Sequence, residues 1–394
     1  MVIIHCLSLE PNEDHVHMFF HSRLLLCGAA FVLACGVPCA TAQAAPAAPR
    51  PQRTAAELYK AACATCHGPD GRGAPLSQVA FDAPLPDFTD CGFATPEPDP
   101  DWSAVVHLGG TARALDHRMP AFIDALTTEE IELAISHVRA FCTEKGWPRG
   151  ELNLPRPLVT EKAYPENEAV LTVKMATSHP HSVENEFLYE HRIGRRGQYE
   201  VIVPVNLQQG GTGGSRWTRG LGDLAVAYKH VLYDSLDRGS IFSLGTEFIF
   251  PTGKELEGLG GGKKVFETFA AYGQMLPNDA FFQFHGGFEF PVKAEDSAKE
   301  AFWRLTVGKT WAQNRGFGRA WSPMVELVAA KELVRGEDPQ WDAVPQMQVS
   351  LSGLQHVLFN VGLRIPVNER EGRSKTFMVY LLWDWFDGGL FDNW

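Results

Sequence analysis

Val357-Leu-Phe-Asn-Val-Gly-Leu-Arg-Ile365 alternates residue by residue: Val357, Phe359, Val361, Leu363 and Ile365 fall on one side of an extended chain, Asn360, Gly362 and Arg364 on the other. Successive strand side chains point to opposite faces, so this period of two predicts a strand with one apolar and one polar face. The pattern recurs. Val201, Val203, Val205 and Leu207 lie opposite Glu200, Pro204 and Asn206; Phe282, Phe284, Phe288 and Phe290 lie opposite Gln283, His285 and Glu289; Phe377, Val379, Leu381, Trp383 and Trp385 alternate with Met378, Tyr380 and Asp384. About twelve such segments can be placed, near 168–177, 184–193, 198–208, 222–234, 240–251, 265–276, 280–292, 302–312, 322–333, 342–352, 356–367 and 375–386. Their connections alternate in length. Gly194-Arg-Arg-Gly197, Leu236-Asp-Arg-Gly239, Pro277-Asn-Asp279 and Ser352-Gly353-Leu354 are tight, whereas the loops around 209–221, 252–264 and 334–341 are longer. This rhythm predicts an antiparallel transmembrane β-barrel of about 12 strands over residues 167–394, apolar outside and polar within. A soluble β-sandwich would also alternate, but its inner faces would have to bury the frequent Glu, Arg and Lys that a wetted lumen accommodates. An even strand number puts both barrel ends on one side of the membrane.

The composition of the 394-residue chain agrees. Hydrophobic residues make up 45% and aromatics 11%, with 37 Gly, 25 Phe and 10 Trp, yet the mean hydropathy is only −0.14. No long apolar helix raises that average beyond the N-terminal region, so a membrane would be crossed with strands. At roughly 150 residues per domain, two or three domains are expected. With 35 Lys+Arg against 47 Asp+Glu the net charge is −12, which argues against nucleic acid, whose phosphates call for a basic face. The aromatic content argues against disorder throughout.

Residues 1–42 read as an N-terminal extension and signal peptide. Met18-Phe-Phe-His-Ser-Arg23 is a short basic start, Leu24 to Val37 the apolar core, and Ala40-Thr41-Ala42 a small-residue cleavage position. The core is short for a transmembrane helix. Residues 1–17 spoil a signal that begins at Met1, which leaves Met18 as an alternative start; His5, His15, His17 and His21 fall in or beside this extension. Val32-Leu33-Ala34-Cys35 offers a second processing route, with a lipid on Cys35. Both routes imply export. Residues 43–53 form an Ala/Pro-rich tether. Residues 54–147 carry helical patterning, and 148–166, with Pro148, Pro155, Pro157 and Pro165, read as a stiffer linker.

Of eight cysteines, Cys6, Cys27, Cys35 and Cys39 fall in or before the proposed signal. Cys63-Ala-Thr-Cys66-His67 is the haem c attachment pattern: two thiols three residues apart can add to both vinyl groups of one haem, and the adjacent His meets the iron. Cys91 and Cys142 are left as a disulfide candidate suited to an oxidising compartment, or as two unrelated thiols.

Residues 54–147 resemble a small class I cytochrome c over nearly their whole length. Thr54 can cap a first helix leading into Cys63-Ala-Thr-Cys66-His67-Gly68; Gly71-Arg72-Gly73 follows; Trp102 to Leu108 looks like the middle helix; and Arg118-Met119-Pro120-Ala121-Phe122 stands where this family supplies its second axial ligand. Thr127 and Glu130 have capping-box spacing, and Ile131, Ile135 and Val138 line one face of a last helix. The resemblance implies one covalent haem c on Cys63 and Cys66, with His67 and Met119 as axial iron ligands and Arg72 as a propionate contact. His107 and His117 compete for the distal position, Met119 can also be read as a core methionine, and Arg72 as a surface arginine. A His/Met pair without an open position favours electron transfer over catalysis, and no catalytic triad or nucleotide loop is found.

Fused to a barrel, such a domain is similar in architecture to cytochrome–porin fusions proposed to take electrons from extracellular donors. Nearly a hundred residues of cytochrome should exceed the lumen of about twelve strands. Gly220-Leu-Gly222-Asp223-Leu224 resembles outer-membrane barrels linked to aromatic-compound uptake, and the chain ends in an aromatic, Trp394, like other outer-membrane proteins. The expectation is a mono-haem electron-transfer protein, not an enzyme, in the bacterial outer membrane, with its cytochrome domain in the periplasm beside a redox partner protein. A small-solute channel, with the haem domain as plug, redox sensor or docking site, is the alternative.

Overall fold

The computed structural model describes residues 52–79, 85–113, 115–178, 180–210, 216–293, 298–312, 318–353, 355–369, 371–385 and 390–391. The proposed signal, Cys35, most of the tether and Trp394 lie outside the described residues.

The helical part comprises α1 (Ala55–Ala62), α2 (Ala64–His67), α3 (Cys91–Ala94), α4 (Asp99–Leu108) and α5 (Thr128–Arg139). Both capping boxes form: Thr54 with Glu57 starts α1, and Thr127 with Glu130 starts α5. Each satisfies N–H groups that the first helical turn would leave open. Leu58, Ile131, Ala134 and Ile135 then make the buried seam between α1 and α5.

The strands are β1 (Glu168–Ala176), β2 (Ser182–Ile193), β3 (Gly197–Gln209), β4 (Trp217–Leu221), β5 (Leu224–Ser235), β6 (Ser240–Phe250), β7 (Val265–Leu276), β8 (Ala280–Pro291), β9 (Glu300–Lys309), β10 (Trp311–Ala312), β11 (Ala320–Glu332), β12 (Gln340–Ser350), β13 (Val357–Pro366) and β14 (Thr376–Asp384). β4 prolongs β5 and β10 prolongs β9, so these segments make twelve staves. Each pairs antiparallel with its neighbours, β1 pairs with β14, and β9 pairs with β11, which closes the sheet into a barrel. The turns at 194–196, 236–239 and 277–279 all lie at one end, called the near end here; Gly194, Asn278 and Asp279 adopt the left-handed backbone that such short reversals require. The longer connections between β3 and β4, β6 and β7, and β11 and β12 lie at the far end. Both termini of the barrel segment, Glu168 and Asp384, are paired at the near end.

Alternation is realised as two distinct surfaces. Leu171, Phe187, Val205, Phe248, Phe288 and Leu381 are exposed on the outer wall, while Glu190, Gln198, Ser243, Gln283, Thr306 and Asn360 are buried inside. Tyr189 stacks on Trp385 at 4.8 Å near the near-end rim, the position of an aromatic girdle. No helix among the described residues is long and apolar enough to cross a membrane.

Residues 148–166 do more than link. From Leu152 onward the chain enters the near mouth and occupies the near part of the lumen: Leu158, Ala163, Tyr164 and Glu166 are all buried. Gly362, which faces inward, touches this segment so closely that a Cβ there would stand 2.5 Å from Leu158 Cδ1.

Phe284→Arg, near the middle of an outer-facing row, should cost ~2–4 kcal/mol by placing a charge against hydrocarbon; Val203, Phe359 and Val379 offer equivalent positions. Unfolding in urea in lipid vesicles reads this directly, and an unchanged midpoint would contradict a lipid-facing wall.

Candidate haem site and the filled lumen

α1 runs into the Cys63–His67 motif without a loop. The Cys63 N–H bonds Tyr59 O at 2.9 Å, and His67 N–H bonds Cys63 O at 2.9 Å, so the one-turn α2 carries both Cys66 and His67. Cys63 and Cys66 are free, partly buried thiols. Gly68, at φ +74°, reverses the chain beyond reach of an ordinary residue, and Gly73 N–H returns to His67 O at 2.9 Å. The buried Tyr59 hydroxyl donates to Gly68 O at 2.7 Å and His67 O at 3.3 Å, fixing the backbone that carries the imidazole. The His67 ring packs on Phe88 with centroids 4.9 Å apart, and its Nδ1 is buried without a hydrogen-bond partner. Burial lowers the His67 pKa, so the ring is neutral and keeps a lone pair for a metal; burial pushes Tyr59 up to about 12, and burial followed by repulsion from Cys66 pushes Cys63 up to about 11.

Met119 sits on the loop that follows α4. Gly110 N–H bonds Met119 O at 2.9 Å and Phe122 N–H bonds Val106 O at 2.9 Å, folding that loop back along α4. A Cβ on Gly110 would stand 2.1 Å from Asp116 O, so only glycine admits this return. Met119 is half-buried. Leu76, Leu108, Leu115 and Ile123 are exposed on the segments flanking the motif and Met119. A large, flat apolar group held by these segments would cover such surface, and the orphaned His67 with two free thiols has the donor chemistry of haem c. The residues fit the group.

The other predicted residues are placed as follows. His107 is buried in α4, and His117 is exposed with Nδ1 3.5 Å from Asp116. Arg72 is 61% exposed and turned to Asp87 at 3.5 Å and Asp70 at 3.9 Å. Cys91 and Cys142 are joined by a disulfide, which ties α3 to the chain after α5.

Sequence reasoning missed the lumen. The Glu326 carboxylate, fully buried, accepts the N–H groups of Leu158 (3.0 Å), Val159 (3.1 Å) and Thr160 (2.7 Å), plus the Thr160 hydroxyl (2.6 Å). Arg156 Nη1 meets Glu168 at 2.6 Å and Glu190 at 2.9 Å, and its carbonyl accepts from Tyr380 at 2.7 Å. Lys229 reaches Glu161 at 2.5 Å; Lys162 pairs with Glu166. Beyond the segment's tip, toward the far end, the lumen holds a cavity of about 420 Å³. Its floor is residues 156–161, and Lys174, Glu184, Glu247, Glu267 and Arg364 are in its wall. The signal available in the sequence was the charge of the supposed spacer: Arg156, Glu161, Lys162 and Glu166 lie among its prolines.

At the near mouth, the β2–β3 turn holds the end of the helical part. Arg195 Nη1 donates to Lys145 O at 3.0 Å, Arg196 Nε to Gly146 O at 2.9 Å, and the Arg192 guanidinium lies 5.5 Å over the Trp147 ring.

Residues 50–138 match the family model described as cytochrome C oxidase, cbb3-type, subunit III, so this segment is a cytochrome c-type domain, which implies haem. No curated protein matches the chain. Among solved structures, it is similar to an outer-membrane channel from Pseudomonas putida F1 (11% identity, 58% of this chain and 99% of that one, TM-score 0.40). It is also similar to the KdgM porin (10% identity, 55% and 98%, TM-score 0.37) and to the β domain of the Bordetella autotransporter BrkA (13% identity, 55% and 97%, TM-score 0.31). The barrel assignment rests on the closed sheet itself.

Replacing both Cys63 and Cys66 by Ala should abolish the haem-stained band on a denaturing gel; a surviving band would remove covalent attachment at this motif. Reducing the Cys91–Cys142 bridge should destabilise the helical part by roughly 2–5 kcal/mol, measured by thermal unfolding of the haem absorbance.

Proposed function

We propose that this chain is a mono-haem c-type cytochrome that transfers electrons at the bacterial outer membrane, anchored by its own barrel. One observation carries the reading: Cys63, Cys66 and a buried His67 with an unpartnered Nδ1 lie together on one short stretch of a cytochrome c-type domain that the chain joins to the near mouth of the barrel. The haem domain itself stays outside the lumen. Cys63 and Cys66 would hold the haem by thioether bonds, and His67 and Met119 would hold its iron. Bound haem supplies a one-electron iron couple, and a thioether ligand raises its potential. Tyr59 keeps the His67 backbone in place, and Phe88 shields one face of the imidazole. Arg72, engaged with Asp87, serves the loop after the motif and would have to leave that pair to meet a propionate. The near end faces the periplasm, where both barrel termini and the export signal lead, and a periplasmic redox protein is the natural partner. Electron transfer rather than substrate turnover follows from a ligand set without an open position.

The test is a redox titration of the protein in proteoliposomes, with donors supplied on one side at a time. Reduction should occur from the haem-domain side alone, and a sulfur-to-iron charge-transfer band in the oxidised spectrum should vanish in Met119→Ala. If His107→Ala abolishes the low-spin spectrum and Met119→Ala leaves it intact, the ligand assignment is wrong. In intact cells, external protease should cut the far-end loop near 252–264 and spare residues 54–147; digestion of the haem domain would reverse the orientation.

A further inference from the structure

We infer that residues 152–166 are a removable plug, and that its withdrawal through the near mouth opens a path selective for cations. This goes beyond the electron-transfer reading and rests on the lumen alone, so either can fail without the other.

Among the described residues, every hydrogen bond between residues 152–166 and the wall has a side chain on at least one end: Glu326, Gln346, Gln198 and His285 take its N–H groups, while Gln283, Ser243 and Tyr380 donate to its carbonyls. The plug adds no strand, and the wall's backbone ladder closes without it. Withdrawal therefore leaves no sheet edge unpaired, and the hydrogen-bonding wall groups it releases are carboxylates, amides and hydroxyls that water can solvate. It also uncovers apolar wall residues where Leu152, Leu154 and Leu158 pack, among them Val231, Phe281 and Val170, and their burial opposes opening and keeps the resting state closed.

The plug continues directly from the cytochrome domain, which meets the β2–β3 turn at the mouth through the backbone carbonyls of Lys145 and Gly146 on Arg195 and Arg196, the Trp147 ring under Arg192, and Glu144 at 3.5 Å from Arg195. The last is an exposed ion pair, and pairs of this kind contribute little. Displacing the domain along the axis pulls on Leu152, the first residue of the plug, so a partner that binds the domain has a handle.

Glu247 stands directly opposite Glu267, Glu267 opposite Glu289, Glu289 opposite Glu300, and Glu300 opposite Glu332. All five occupy inward positions on β6, β7, β8, β9 and β11, beyond the plug toward the far end. Like charges directly opposite one another destabilise a sheet, and among the described residues none of the five has an ion pair within 4.0 Å. A carboxylate row lining a wetted passage is the arrangement that admits cations and repels anions.

The experiment is single-channel recording of the full haem-loaded protein in planar bilayers under a potassium chloride gradient. The wild type should be closed with rare openings. Arg156→Gln combined with Glu326→Gln should open roughly tenfold more often or beyond, since each change strips buried partners from the plug, with a reversal potential on the cation side. Thr160→Cys with Thr306→Cys, whose hydroxyls are 2.9 Å apart, should staple the plug to the wall and abolish openings until reductant is added, against wild type plus reductant as control. A double Gln variant that is folded by heat-modifiability and haem stain yet silent overturns the proposal. So does a wild type that conducts continuously, a staple that leaves openings unchanged, or anion selectivity. Should the Gln variant fail to insert, the staple decides alone.

Discussion

A sheet that meets hydrocarbon must pair every backbone group within itself, and the pairing of β9 with β11 and of β14 with β1 meets that demand. The rest of the molecule follows from this closure. Twelve staves in an even, up-and-down order bring both ends of the barrel segment to one mouth, so whatever precedes β1 must sit there. The cytochrome domain precedes β1, and the segment joining it to Glu168 has the near mouth as its nearest polar environment. Period-two alternation then makes the inner wall polar, and a polar wall can take up a polar chain.

What enters the barrel is matched to that wall. A buried carboxylate such as Glu326 is costly without donors, and three consecutive plug N–H groups with one hydroxyl satisfy it. Glu168 and Glu190 share Arg156, and Glu161 shares Lys229. Such groups break even at best against apolar packing when both partners are present, and are strongly destabilising when one is removed. Their effect is therefore specificity of seating: the plug fits in one register, because shifting it by a residue would strand several charges at once. The apolar patches at its two ends, Leu152 with Val231 and Ile241, and Leu158 with Val170 and Met378, add the non-directional part.

The two halves were legible in the sequence for different reasons. A strand writes itself as alternation, and one face of every stave here meets lipid while the other meets polar lumen, so Phe359 and Asn360 announce their sides. The tight turns were legible for a related reason, since Gly194 and Asn278-Asp279 are the residues that tolerate the left-handed backbone a short reversal needs. The Cys63–His67 motif is local, two cysteines and a histidine within five residues, and it needs no long-range information. The plug is the opposite case. Its partners lie as far as 224 residues away, as Tyr380 is from Arg156, and prolines at 155, 157 and 165 hide it among spacers because a chain whose backbone is bonded by side chains of the wall has no periodicity to show. Family position makes Arg72 a propionate contact and composition a surface arginine; its neighbours in the fold, Asp87 and Asp70, lie within 15 residues of it in the chain.

The plug also bears on where electrons can go. The hydrocarbon band of such a barrel is about 25 Å tall, and a single haem domain that begins outside the lumen cannot reach across it. Residues 152–166 place ion pairs and amides between the near mouth and the cavity at the far end. On the proposed reading, exchange takes place at the cytochrome domain's own surface, where Leu76, Leu115 and Ile123 are exposed beside the motif. On the same reading the barrel contributes position rather than conduction to electron transfer: it would hold the haem domain at the near mouth, where both ends of the barrel segment lie.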